Sequence, residues 1–380
     1  MNVNANASVN FGFQALATDG GARSGVLHTA HGPLDTPAFM PVGTAGTVKA
    51  MTADAVRSTG SQCVLSNTYH LMLRPGADRI AGLGGLHRFM DWSGPILTDS
   101  GGFQIMSLSA LRTIDQDGVT FRSHIDGSRH RLTPAVCMDL QDKFDSTISM
   151  VLDECTPFPA SHDAAEASMD MSMRWASMSK QAFRARPGYG LFGIVQGSTY
   201  GDLRVRSAKA LKETGFDGYA VGGLAVGEGQ RAMLETLDAT VPHLPDDAPR
   251  YLMGVGTPDD ILSAVQRGID MFDCVIPTRA GRTARAYTAS GVHNLRNARF
   301  AADPAPLEPD CACPGCRKAS RAYLHHLFRA GEMLGPMLLT WHNITYYQSL
   351  MRSVRASIKA GQFSRHASDL RAGWLTPETR

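Results

Sequence analysis

Eight short apolar runs punctuate the chain, at residues 37–42, 62–66, 95–98, 147–153, 191–196, 218–222, 251–255 and 270–276. Each is bounded by turn-forming residues and too short for a helix, so each reads as a buried strand. Helical periodicity fills most of the intervals. The clearest case is residues 257–268. Thr257 is placed as N-cap, Pro258 at the first helical position and Asp259 and Asp260 in the first turn. Ile261, Leu262 and Val265 form the apolar stripe, and Gly268 stands at C′. Strand and helix alternating in this way predict an α/β fold, a (β/α)8 TIM barrel. The rival is an open doubly wound sheet, which wants a glycine-rich phosphate loop after an early strand. Residues 42–46 are a weak candidate for one, and Gly254-Val255-Gly256 lacks the third glycine of a dinucleotide fingerprint.

Three segments depart from the rhythm. Residues 11–29 alternate about Gly20-Gly21 and read as an N-terminal hairpin. Alternation about Asp126-Gly127 predicts a β-hairpin inserted near 115–133. After the eighth run, the chain becomes basic and cysteine-bearing. The expected organisation is an N-terminal β region over 1–36, a barrel over 37–282, an inserted zinc-binding subdomain over 283–345, and C-terminal helices over 346–380 packed on the barrel.

Composition sharpens this picture in two places. The net charge of +2 over 380 residues carries no message about nucleic acid, but its distribution does. Between positions 274 and 302 there are five arginines (Arg279, Arg282, Arg285, Arg296, Arg299) and no acid. Arg317, Lys318, Arg321 and Arg329 follow in a second acid-free stretch. An ordinary solvated face is the bland explanation; two such stretches beside a candidate site favour an anionic partner. Of the seven cysteines, Cys311, Cys313 and Cys316 cluster around a Pro-Gly turn, a spacing that suits tetrahedral zinc. His325, His326 and His342 compete for the fourth place, and spacing does not choose among them. Four protein ligands leave no open position, so a structural Zn2+, one per chain, is expected. The opening residues lack the basic and apolar regions of a signal peptide, and no apolar run is long enough to span a bilayer. A reducing cytoplasm is the expected location.

The chemistry gathers at residues 268–282. Asp273 stands between Met271-Phe272 and Cys274-Val275-Ile276, with nothing beside it to neutralise its charge, and Arg279 and Arg282 follow at once. A carboxylate so placed must be protonated, paired or kept for chemistry. Residues 96–102 and 149–155 likewise end strand-like runs on Asp99 and Asp153. Three acids delivered by distant strands predict one site.

These stretches together resemble bacterial tRNA-guanine transglycosylases. The likeness runs from about Pro37 to the C-terminal helices. It rests on Ser66–Leu71 (SNTYHL), Leu97–Gln104 (LTDSGGFQ), Asp153–Pro157 (DECTP), Gly193–Gly197 (GIVQG), Gly222–Glu228 (GGLAVGE), Met271–Arg279, and the cysteine cluster with His342. That family exchanges the wobble guanine of GUN anticodons for preQ1, a 7-deazaguanine precursor of queuosine, on a TIM barrel with a zinc subdomain. The resemblance implies that Asp273 is the nucleophile on ribose C1′ and Asp99 the general acid/base. Exchange at an anomeric carbon with retention needs two displacements, the logic of retaining glycosidases. It also implies that Asp153 and Gln196 read the polar edge of the base. The Gly223 N–H and the Leu224 carbonyl line the pocket, and Phe103 and Met253 sandwich the ring. Ser100, Asn67 and Gln104 orient reacting groups, and Val226 faces the substituent of the incoming base. Arg279, Arg282 and Arg285 meet RNA. His342 is the fourth zinc ligand. The implied partners are tRNA, preQ1 and guanine, and a second copy in a homodimer.

Two positions depart from that pattern. Thr283-Ala284 replaces a common Asn-Gly in a loop expected to receive the anticodon, and Ala319 stands where a relative carries a bulky aromatic at the expected dimer surface. Two other functions compete. A retaining glycosidase would line its cleft with aromatics, yet these are only 7% of the chain. A non-catalytic RNA-binding paralogue would be expected to lose Asp99 or Asp273, and both are present.

Overall fold

The computed structural model describes residues 10–108 and 112–375. Most of the opening stretch read for a signal peptide, and the last five residues of the expected C-terminal region, lie outside the described residues. Eight parallel strands form one sheet: β1 (Ala38–Pro41), β2 (Val64–Ser66), β3 (Ile96–Thr98), β4 (Ile148–Met150), β5 (Gly190–Val195), β6 (Gly218–Val221), β7 (Arg250–Leu252) and β8 (Met271–Cys274). Each pairs with its sequence neighbour, β8 pairs with β1, and a parallel bridge between Val42 and Leu65 closes the barrel. All eight apolar runs supply a strand. Every residue in these strands is buried. Helices cover one face and packed side chains fill the other, which is why the runs are continuously apolar rather than alternating.

The helix Pro258–Val265 begins as expected, with a reciprocal capping box between Thr257 and Asp260. Its end differs. Gln266 is the C-cap, so Gly268, at φ 91°, lies one position beyond the expected C′. The cause is a tightened last turn, in which the Arg267 and Gly268 N–H groups donate to the Ala264 and Val265 carbonyls.

The N-terminal hairpin is present as Gly12–Asp19 and Ala22–His28, and gains a third strand, Leu34–Thr36. A buried Arg23–Asp270 ion pair ties it to the start of β8, at the barrel end opposite the site. The insertion after β3 is a three-stranded antiparallel sheet, Arg112–Asp115, Gly118–Arg122 and Arg129–Leu132, rather than a two-stranded hairpin. The extra reversal comes from Asp115, whose carboxylate accepts the Asp117 and Gly118 N–H groups.

Beyond β8 come the strands Arg285–Thr288 and Gly291–Asn294 and the helices Pro314–Lys318 and Arg321–Ala330. They share a separate core that includes Leu295, Phe300, Leu324 and Leu339. The expected boundary at 345/346 falls inside one helix, Leu334–Lys359. Its first turns carry His342, while Tyr347, Met351 and Val354 belong to the barrel core. This continuous helix welds the two units together. Among the described residues, no helix is long and apolar enough to cross a membrane.

Candidate active site and metal centre

Asp273 lies within β8, in register with Met40, rather than in a loop beyond the strand. The Tyr251 hydroxyl and the Gly254 N–H donate to its Oδ1 at 2.6 and 2.7 Å. Burial raises its pKa, and these two donors oppose the rise. No pattern in the sequence marks either donor for this role. A tyrosine inside a buried strand does signal a hydroxyl in need of a partner, and Tyr251 is such a residue.

Asp99 stands one residue past β3. Its Oδ1 accepts the Thr68 N–H at 2.8 Å, and its Oδ2 accepts Asn67 Nδ2 and, at 2.8 Å, Gln104 Nε2. Asn67 is the N-cap residue of the helix Thr68–Leu73, so the first turn of that helix is aimed at the carboxylate. Burial dominates here too. Despite its three donors the group is pushed up to about 6, and the Asp273 charge adds to the rise, so the two acids share one field. A folded-state pKa above the unfolded value means stability that is present at low pH and lost as pH rises through about 6. The stability of Asp99→Asn relative to wild type should therefore improve between pH 4 and 7, by up to about 3 kcal/mol. Urea melts at matched pH would measure it, and a pH-independent difference would contradict the account.

Asp153 lies three residues beyond β4. Ser100 Oγ donates to its Oδ1 at 2.9 Å and Gln196 Nε2 to its Oδ2 at 2.7 Å. Gln196 is fully buried with Oε1 unpartnered. Two glycines make the approach possible. A Cβ at Gly102 would stand 2.4 Å from the Asp153 carbonyl oxygen, and one at Gly223 would stand 2.6 Å from Gln196 Oε1. Leu224 is buried and Val226 half-buried on the loop after β6. Glu228, the last residue of the GGLAVGE stretch, accepts the N–H groups of Ala225, Val226 and Gly227 and so sets the course of that loop, a role the motif alone does not reveal. Arg204, which no pattern in the sequence marks, is fully buried and donates to the Val195 and Gly222 carbonyls, joining the ends of β5 and β6. Phe103 is 47% exposed, which removes core packing as its explanation. Met253 is half-buried directly after β7.

Of the cationic residues after β8, Arg279 and Arg282 sit on a short helix, Ile276–Arg282, rather than on a loop, and Arg285 opens the strand Arg285–Thr288. Asn343 clamps that helix by donating to the Pro277 and Arg285 carbonyls. Arg279 and Arg285 are exposed and Arg282 is half-buried. Ala284 is buried with φ 67°, a left-handed conformation that a glycine takes more readily. Ala319 is buried in the subdomain's own core rather than displayed on its surface.

Cys311, Cys313, Cys316 and His342 converge, with all four ligand atoms within 4.8 Å of one another. His342 Nδ1 lies 3.7, 3.7 and 3.3 Å from the three sulfurs. Tetrahedral zinc bonded to sulfur and imidazole nitrogen places those atoms about 3.6 Å apart. The other ring nitrogen, Nε2, lies 2.8 Å from the Tyr287 carbonyl oxygen, a contact that fixes the tautomer with Nδ1 free for metal. The residues therefore fit zinc in a closed, structural site. His325 Nδ1 is instead engaged with the Leu295 carbonyl, and His326 is exposed. A second grouping, His31, His87 and Asp145, fits poorly. The two imidazoles stack at 3.7 Å, so an ion shared between them would lie far out of both ring planes.

A model of the queuine tRNA-ribosyltransferase family matches residues 18–374. The chain is 69% identical over 358 residues to a queuine tRNA-ribosyltransferase of Granulibacter bethesdensis, a match covering 94% of this chain and 95% of the relative. It is 65% identical over 367 residues to the one from Gluconacetobacter diazotrophicus, covering 97% of this chain and 95% of that protein.

Proposed function

From the premise that the chain belongs to the queuine tRNA-ribosyltransferase family, we propose that it replaces the wobble guanine of GUN anticodons with preQ1, through a covalent ribosyl ester on Asp273. The observation that carries the reading is the pair of buried acids. Asp273 is an acceptor fixed by two donors, and Asp99 is tuned to about 6, near the optimum for moving protons at neutral pH. Asp273 attacks C1′ as guanine departs. Asp99 protonates the departing base and then takes the proton of the incoming one. Asp153, Gln196, the Gly223 N–H and the Leu224 carbonyl read the base edge, with Ser100 orienting Asp153 and with Asn67 and Gln104 orienting Asp99. Phe103 and Met253 hold the extruded ring between flat apolar faces. Arg279, Arg282 and Arg285 neutralise phosphates near the anticodon, and zinc, when bound, braces the subdomain that follows them. On that subdomain, the exposed Tyr323, Met333, Leu334 and Met337 offer apolar side chains to a second copy of the chain.

The test is incorporation of labelled guanine into unmodified tRNA, followed by competition with preQ1 and queuine. Val226 is branched and half-buried, and should penalise the bulkier queuine by about 1–3 kcal/mol, roughly ten- to a hundred-fold. Val226→Gly should relax this preference. Absence of label in the RNA would refute the function, whereas equal use of preQ1 and queuine by wild type would refute only the size argument.

A further inference from the structure

Both donors to Asp273 reach the same oxygen. Tyr251 and Gly254 bond Oδ1, and among the described residues nothing donates to Oδ2. Asp273 is 8% exposed, so it is not fully sealed in the core. Tyr251 is itself fully buried, and its ring cannot leave without opening the barrel. We infer that Oδ2 is the atom that attacks C1′, and that Tyr251 is a positioning residue holding Oδ1 through both halves of the exchange. The inference rests on Asp273 being the nucleophile.

The two steps then balance as follows. An Oδ2 lone pair forms the bond to C1′ while the C1′–N9 bond breaks. The electron pair leaves with N9 of guanine, which takes a proton from Asp99. In the second step Asp99 accepts the N9 proton of the incoming base, N9 attacks C1′, and the C1′–Oδ2 pair returns to the carboxylate. Throughout, Oδ1 alternates between carboxylate oxygen and ester carbonyl. A hydrogen bond to a charged carboxylate is stronger than one to a neutral carbonyl. The Tyr251 hydroxyl therefore favours the free acid's anion over the ester, restraining ester formation and promoting its discharge.

Tyr251→Phe keeps the ring and removes the donor. Its covalent complex with tRNA should discharge on addition of guanine about tenfold more slowly than that of wild type, the scale of one hydrogen bond to a charged group. The covalent fraction at steady state should rise. The acidic limb of the rate profile should move to higher pH, because a donor that lowers the Asp273 pKa has gone. The KM for guanine should be unchanged. Difluorotyrosine at position 251 of the full-length enzyme, a stronger donor in the same ring, should move discharge and pH limb the other way. Unchanged discharge and pH limb in both variants, with or without a lower Tm, would overturn the inference and leave Tyr251 a packing residue. Absence of a covalent complex from wild type would instead overturn the nucleophile reading on which it rests.

Discussion

Asp273→Asn is expected to lower base exchange on the order of 10⁴-fold or more, the scale on which loss of a covalent nucleophile acts. The fold should survive. Asparagine has nearly the same shape, and its amide oxygen can still accept from Tyr251 and Gly254. Removing a buried charge whose pKa is already raised also relieves the folded state at neutral pH. Noncovalent tRNA binding should persist, because the exposed arginines after β8 are untouched. Denaturing electrophoresis of enzyme with tRNA gives the clean readout. Wild type should show a retarded covalent band and the variant none. A band of equal strength from Asp273→Asn would remove Asp273 from the nucleophile's place, with Asp99 next in line.

Loss of the metal should have the largest effect on stability. Structural zinc contributes on the order of 10 kcal/mol in small zinc-binding peptides, more than any single side chain here. The subdomain core of Phe300, Leu324 and Leu339 is small and offsets only part of that loss. A strong chelator at elevated temperature, or Cys313→Ala, should therefore open residues 285–339 to protease. The damage should reach the active site through the helix Leu334–Lys359. Asn343 clamps the Ile276–Arg282 helix, Tyr347 donates to the Gly256 carbonyl and Gln348 to the Phe39 carbonyl. Exchange activity should fall although the cysteine cluster supplies no group to the chemistry. Elemental analysis should give one zinc per chain. Metal-free protein with unchanged Tm and activity would show that the four residues had been misread.

The eight strands, the capped helix at Thr257 and the cysteine triplet were legible because each is a local pattern. Strands buried on both faces must be apolar throughout, a cap is set by residues three apart, and a Pro-Gly turn brings neighbouring thiolates together. Some departures at element level were also local in origin, among them the Asp115 turn that adds a strand and the tightened end of the helix before Gly268. What the chain order could not convey was phase and reach. Spacing leaves three histidines open; the rotation of the Leu334–Lys359 helix turns His342 toward the sulfurs, while that of Arg321–Ala330 leaves His326 facing solvent. Apolar runs announced three acids, but not that Asp99 and Asp273 would feel one another's charge. Nor did they announce that Tyr251, Gly254, Thr68 and Glu228 would hold these groups and the base-binding loop. The meeting of Asp99 and Asp273 depends on barrel closure, which brings the ends of β3 and β8 to one mouth, while Tyr251 and Thr68 reach their acids only because neighbouring strands lie side by side. Periodicity along the chain encodes which residues are buried; the closed sheet decides which of the buried ones meet.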